Sequence, residues 1–228
     1  MKRQERVIYG KLFVNLPTVN PYQITFQTWN KVASLYQDKF MNLDLYDDTY
    51  NRFCDLMKTN NSSVLEIGCG PGNITKYLLT KRPDLKVEGI DVASNMIQLA
   101  KENNPTADFK VMDCRELHPL QNKYDAIVCR FCMPYLSKDD CAKLIKDAAD
   151  LLHNSGIFYF STIEGNYEKS GFEAGSTGDQ AFVYYHTEEF LRNQLLENNF
   201  ECLELMKKVY AKNENENSVH LIFIGRKK

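Results

Sequence analysis

The sequence predicts a three-layer α/β fold in which a mostly parallel sheet lies between helices and ends in an antiparallel pair. Three observations predict it. Five short apolar runs, SVLEI (63–67), KVEGID (86–91), FKVM (109–112), YDAIVC (124–129) and GIFYFST (156–162), are separated by turn formers and longer stretches. Helical candidates over 73–81, 94–103 and 138–153 alternate with these runs, and such alternation gives parallel strands with both faces covered. The last two runs, CLELMKKVY (202–210) and VHLIFIGRK (219–227), are joined by the polar AKNENENS and read as a hairpin.

The elements follow in order along the chain. FQTWNKVASLYQDKF, from Phe26, places Trp29, Val32, Ala33, Tyr36 and Phe40 on one helical face. A second helix is expected to carry Leu43, Tyr46, Tyr50, Phe53, Cys54 and Met57 before KTNNSS interrupts the periodicity. Residues 1–60 are therefore expected to form a helical cap or lid segment, and residues 61–228 one compact catalytic unit. The stretch 164–186 contains GNYEKSGFEAGSTGDQAFVYYH, too long for a simple connection, and is expected to be a substrate loop or lid. TEEFLRNQLLENNF, after it, is helical.

Composition narrows the function classes. With 228 residues and 43% hydrophobic content the chain can bury a real core. A net charge of −2 without a basic stripe speaks against a nucleic-acid scaffold. No apolar run has the length of a membrane span, and the N-terminus lacks a signal-peptide core. Seven cysteines without a secretory signal fit reduced thiols and a cytoplasmic location. Cys129 and Cys132 form a CxxC, but Cys129 closes a strand and no second pair completes a site, so no metal is expected.

The stretch SVLEIGCGPGNIT (63–75) carries the most chemistry. Gly68, Gly70 and Gly72 stand between a strand and a helix that starts near Asn73, so a ligand can approach backbone directly. A dinucleotide fingerprint would need glycine at 73, which is Asn, and no Gly-Lys-Ser/Thr follows to make a P-loop. Glu66 would repel a pyrophosphate and suit a ligand that carries a cation. Asp91, at the end of the second strand, is placed to grip ribose hydroxyls.

VLEIGCGPGN, followed by VEGIDVASNMI, VMDCREL and YDAIVCRFCMPYL, resembles the class I S-adenosylmethionine-dependent methyltransferases over roughly residues 26–228. The resemblance implies a Rossmann-like seven-stranded sheet whose C-terminal strand is antiparallel. It implies S-adenosylmethionine as cofactor and S-adenosylhomocysteine as product. Glu66, Gly68, Cys69, Gly70 and Gly72 would line the methionine part. Asp91 would take the ribose, Val92 and Met96 the adenine, and Asp113 the adenine amine with Met112 and Cys114 beside it. Arg130 matches a position whose backbone holds the cofactor's amino group, and Tyr36 would close over the site with Trp29.

Methyl transfer from a sulfonium is an in-line displacement that rests mainly on alignment. A general base serves only when the nucleophile carries a proton. Pro134 and Tyr135 stand where many relatives place a histidine or an acid. His186 is the titrating candidate and Tyr135 the second catalytic one; His118, His153 and His220 are given no role. Glu164, Glu168, Glu173 and Asp179 against Lys169 disfavour a polyanion and lean toward a small neutral or cationic acceptor, an amine or phenol. Neither a nucleic-acid partner nor stable membrane association is expected, and a homodimer stays open. The alternatives are an inactive S-adenosylmethionine-binding protein and a protein or RNA methyltransferase.

Overall fold

A computed structural model describes residues 20–213 and 216–228. Residues 1–19, most of the N-terminal stretch read as a cap over the site, lie outside the described residues. The Asn20 side chain accepts from the Tyr22 N–H at 3.0 Å, and Pro21 opens helix α1 (Pro21–Lys31). A side-chain cap followed by proline starts the helix five residues before Phe26. The single helix expected over 26–40 is two, because Val32 leaves helical geometry (φ −92°, ψ 13°) before α2 (Ala33–Phe40). That break seats Ala33 against Ala93 and Met96. Helix α3 (Asp47–Leu56) buries Tyr50, Phe53 and Cys54, while Leu43 and Tyr46 precede it.

The strands are β1 (Ser63–Ile67), β2 (Lys86–Asp91), β3 (Asp108–Val111), β4 (Tyr124–Cys129), β5 (Leu152–Ile163), β6 (Gly171–Ala174), β7 (Gln180–Val183), β8 (Phe200–Asn213) and β9 (Glu216–Lys227). Helices α4 (Asn73–Lys81), α5 (Ser94–Asn103), α6 (Lys138–Leu151) and α7 (Glu188–Glu197) complete the elements used below. Seven strands form one sheet in the order β3-β2-β1-β4-β5-β9-β8. β1 through β5 pair in parallel, and β9 runs antiparallel to both neighbours. This is the Rossmann-like arrangement with an antiparallel C-terminal strand.

Alternation along the strands builds the layers. Ile127, Cys129, Phe158 and Phe160 pack on one face with Leu144 and Ile145 of α6 and Leu191 of α7. Ala126, Val128, Ile157 and Tyr159 pack on the other with Phe53 of α3 and Leu78 of α4. Strand order reverses between β1 and β4, so the crevice for a ligand opens at their carboxyl ends.

Two segments differ from the sequence expectation. The stretch 164–186 is not a bare loop, since β6 and β7 pair as a hairpin against α1. The polar AKNENENS is mostly strand: Tyr210 pairs with Ser218, Ala211 with Asn217 and Asn213 with Glu216. Continuing the backbone ladder overrides the poor strand propensity of Asn, Glu and Lys there. Among the described residues no helix is long and apolar enough to cross a membrane.

Candidate functional site

Gly68, Gly70 and Gly72 all have positive φ (69°, 54° and 79°), so the turn between β1 and α4 requires glycine three times. It is held from below, where Gly68 N–H and Cys69 N–H both donate to the Ile90 carbonyl, at 2.8 and 2.9 Å. It is held from the side by Asp91, whose Oδ2 accepts from Gly70 N–H and whose Oδ1 accepts from Ala93 N–H, both at 2.9 Å. Each oxygen keeps acceptor capacity for one further donor. A cavity of about 260 Å³ opens against this turn.

The cavity brings most of the sequence-predicted residues together. Gly68, Gly70, Asp91, Val92 and Met96 line one end, with Met112, Asp113 and Cys114 beside them. Tyr36, Arg130 and Tyr135 also line it. Cys69 and Gly72 do not. The Cys69 side chain is buried with Ile97, Ala100 and Phe109, and Gly72 starts α4 with its would-be Cβ 2.4 Å from Asn104 Nδ2. Glu66 is likewise buried off the lining, 1% exposed at the end of β1. Thr75 donates to its Oε2, and its Oε1 has no partner. Burial pushes its pKa up to about 8 against the opposing Thr75 hydrogen bonds. Asp113 sits at the lining, but Arg115 holds both of its oxygens, at 2.6 to 3.1 Å.

His186, the sequence's titrating candidate, is not at the cavity. It is fully buried, with Nε2 at 3.1 Å from the Leu136 carbonyl, 3.3 Å from that of Met133 and 3.4 Å from Cys141 Sγ. Burial lowers its pKa. The imidazole lies behind the short 3₁₀ turn Met133–Tyr135, against the carbonyls of Met133 and Leu136. Tyr135 does reach the cavity, edge-on to Trp29 at a ring-centroid distance of 5.2 Å. Desolvation holds its phenol firmly protonated.

The residue that sequence reasoning missed is His220. It lines the cavity with Ser218, Tyr210 and Lys212, all carried by the β8–β9 extension. Its Nδ1 lies 2.6 Å from the Tyr46 hydroxyl and its Nε2 2.9 Å from Ser218 Oγ. Burial first, then the Arg130 and Lys212 charges, bring its pKa down to about 4. The imidazole is therefore neutral at pH 7. The signal in the sequence was period-two alternation through Ser218, His220 and Ile222, hidden by the polar run before it.

Helix α1 roofs the cavity with Thr25, Phe26 and Trp29 and is fastened on three sides. Tyr22 donates to Asp140 and accepts from Ser137 N–H at 2.9 Å. Thr28 donates to the Gln180 carbonyl at 2.6 Å, and the Asn30 side chain accepts from Asn95 N–H at 2.9 Å. A second cavity of about 280 Å³ lies between α1–α2 and the β6–β7 hairpin and shares Trp29, Tyr36, Phe40 and Tyr135 with the first.

The acidic rim expected from the sequence is largely neutralised. Glu164 pairs with Lys207, Glu173 with Lys212 and Asp179 with Lys31, at 2.9, 3.2 and 2.7 Å. Its charge no longer argues for a cationic acceptor. Cys132 faces Cys114, Sγ to Sγ 3.3 Å. No cluster of three or more metal-ligating side chains occurs among the described residues.

Residues 64–156 match the family model described as a methyltransferase domain. The putative methyltransferase 235L of Invertebrate iridescent virus 6 is 38% identical over 112 residues, 49% of this chain and 40% of that protein. The malonyl-[acyl-carrier protein] O-methyltransferase of Acetivibrio thermocellus is 30% identical over 110 residues, 47% of this chain and 38% of its own length. The chain thus spans under half the length of these curated relatives. Among solved structures, magnesium protoporphyrin IX methyltransferase from Synechocystis with bound S-adenosylhomocysteine superposes with a TM-score of 0.69 at 15% identity, covering 92% of this chain and all of that one.

Proposed function

From a chain that has the class I S-adenosylmethionine-dependent methyltransferase fold, with the methyltransferase-domain sequence over residues 64–156, we propose an enzyme that transfers a methyl group from S-adenosylmethionine to a small molecule. The observation that carries this reading is the Asp91 carboxylate, fastened by two backbone N–H groups at the cavity edge beside three left-handed glycines.

The residues fit the cofactor. Asp91 has two acceptor sites free for a vicinal diol, and Glu66 has an orphaned buried oxygen two residues before Gly68. An arriving cation at the glycine turn favours the ionised form of that carboxyl. Val92, Met96 and Met112 offer apolar and thioether surface for an aromatic base, with Cys114 at their side. Asp113 would accept from the base only through lone pairs that Arg115 leaves.

When bound, the cofactor supplies an activated methyl group on a sulfonium. The chain's own task is to orient and to exclude water. Trp29 and Tyr36 meet edge to face at 5.6 Å, and with Tyr135 they form an aromatic lid over the cavity. Holding nucleophile and methyl in line can supply roughly 7–11 kcal/mol of rate acceleration. The α1 roof favours a small acceptor over a polymer, because a folded RNA or protein surface would have to displace a helix fastened at Tyr22, Thr28 and Asn30.

Calorimetric titration with S-adenosylhomocysteine, with NAD as control, tests the reading together with label transfer from methyl-labelled S-adenosylmethionine. Micromolar binding of the sulfur nucleoside and none of NAD is expected. Preference for NAD would overturn it.

A further inference from the structure

The second cavity, of about 280 Å³ between α1–α2 and the β6–β7 hairpin, has no part in the reading above. Apart from Tyr135, its lining residues fall outside the stretch 64–156 that matches the methyltransferase-domain family. It is thus an addition to the matched domain rather than a part of it. Its two sides are tied together along one edge. Thr28 Oγ1 donates to the Gln180 carbonyl at 2.6 Å, Phe182 N–H donates to Thr25 Oγ1 at 3.0 Å, and Lys31 pairs with Asp179. These ties fix the spacing of helix and hairpin, so the cavity is preformed.

The wall offers a ligand apolar surface and two uncommitted donors. Val32, Leu35, Ala181 and Val183 give the apolar part. Trp29 and Tyr135 stand in the wall shared with the first cavity, their ring centroids 5.2 Å apart and their planes at 66°. Trp29 Nε1 is closed off from solvent and has no hydrogen-bond partner. The Tyr135 hydroxyl has none among the described residues either, and burial first, then the neighbouring Tyr36 and Glu173, keep it protonated. An indole N–H can only donate, and a buried donor without an acceptor is costly. A carbonyl oxygen has two lone pairs and can serve both groups. The charges around this cavity are matched or solvated. Asp179 pairs with Lys31 and Glu173 with Lys212, while Lys39 is exposed, its Nζ 5.1 Å from the Phe40 ring centroid. An ionic ligand would lose its hydration here without gaining a counter-charge.

We infer that the second cavity binds a small uncharged aromatic carbonyl compound, whose oxygen accepts from Trp29 Nε1–H and from the Tyr135 hydroxyl. The ring of such a molecule packs on Val32 and Val183 and meets aromatic edges and faces on the shared wall. Asp91 and the glycine turn line only the first cavity, so binding here does not depend on the cofactor. Trp29, Tyr36, Phe40 and Tyr135 belong to both cavities, which leaves the two ligands one layer of side chains apart.

Trp29 is the single tryptophan of the chain, so its indole N–H gives one unmistakable cross-peak in a nitrogen–proton correlation spectrum. The protein is titrated with acetophenone and with α-methylstyrene, in which a methylene replaces the carbonyl oxygen. Acetophenone is expected to move the indole cross-peak downfield, as a new hydrogen bond requires, and α-methylstyrene is not. Tyr135→Phe should weaken acetophenone roughly fivefold and change α-methylstyrene by less than about twofold. Ala181 lines the second cavity and not the first, so Ala181→Leu fills that space and should weaken both compounds roughly tenfold. If Ala181→Leu does not fold, Leu35→Ser, at a position 47% exposed, should weaken both roughly threefold. Absence of acetophenone binding, an indole cross-peak that does not move downfield, or Tyr135→Phe acting alike on both compounds overturns the inference. So does binding unaffected by the second-cavity variant that folds, because the compounds then occupy the first cavity.

Discussion

The Tyr46 hydroxyl lies 2.6 Å from Nδ1 of His220, joining the residue just before α3 to a strand 174 positions later. Tyr46→Phe strands that buried nitrogen and is expected to cost about 1–3 kcal/mol in urea unfolding at pH 7. The same imidazole sets a pH dependence. Its folded pKa of about 4 lies below the ordinary 6.5, so the unfolded chain binds the extra proton first. The contribution is complete above 6.5 and is lost as pH falls toward 4. His220→Gln should therefore lose less stability than the wild type between pH 6.5 and 4.5. Parallel pH curves for the two proteins would mean that the ring is not held neutral.

Glu66 has the opposite sign. Its pKa is raised by burial from 4.5 to about 8, so its contribution is complete below 4.5 and is lost as pH rises through 8. Glu66→Gln should melt at a higher temperature than the wild type at pH 8, at roughly 2–4 °C per kcal/mol for a chain of this size, and by less at pH 5.5. It should also bind S-adenosylhomocysteine at least tenfold more weakly. Stability gained together with affinity lost is the signature of a carboxyl kept for a ligand.

Asp91→Asn retains the shape but sets an amide NH₂ against either Gly70 N–H or Ala93 N–H. Hydrogen bonds to a charged group are worth about 1.5–3 kcal/mol, so the Kd for S-adenosylhomocysteine should rise roughly 10- to 100-fold by calorimetry. A change within threefold would remove Asp91 from the ribose site.

Two glycines with nearly equal φ separate strain from packing. A Cβ at Gly178 (φ +80°) meets open space, whereas one at Gly72 (φ +79°) meets Asn104 Nδ2 at 2.4 Å and Ala100 Cα at 3.2 Å. Gly178→Ala should cost about 1 kcal/mol, the conformational strain alone. Gly72→Ala should cost at least about 2 kcal/mol more, measured as a difference in denaturation midpoint.

What the sequence reveals here is what neighbours along the chain decide. The glycine turn and Asp91 were legible because a strand end, a turn and a helix start are local events, and α4 and α5 fall on their predicted residues. His220 was not, because its meaning comes from Tyr46 and from a cross-strand ladder that the run AKNENENS disguised as loop. His186 was chosen for its intrinsic pKa, and only packing reveals that its ring is used on the carbonyls of Met133 and Leu136. The acidic residues of 164–186 misled for a related reason. Their lysine partners come from α1 and β8, which no local window contains.

The ladder that carries Tyr210, Ser218 and His220 lies outside the stretch 64–156 that matches the methyltransferase-domain family. The glycine turn with Asp91 and the cavity wall made by Tyr210, Ser218 and His220 thus come from separable stretches of the sequence. Because side chains alternate faces with a period of two, removing one pair of residues from each arm of this hairpin keeps its inward face, and removing a single one turns it outward. The cavity wall can therefore change in paired steps at the tip of β8–β9 while the glycine turn stays untouched, and a chimera that exchanges only residues 208–220 exchanges that wall and leaves the turn and Asp91 intact.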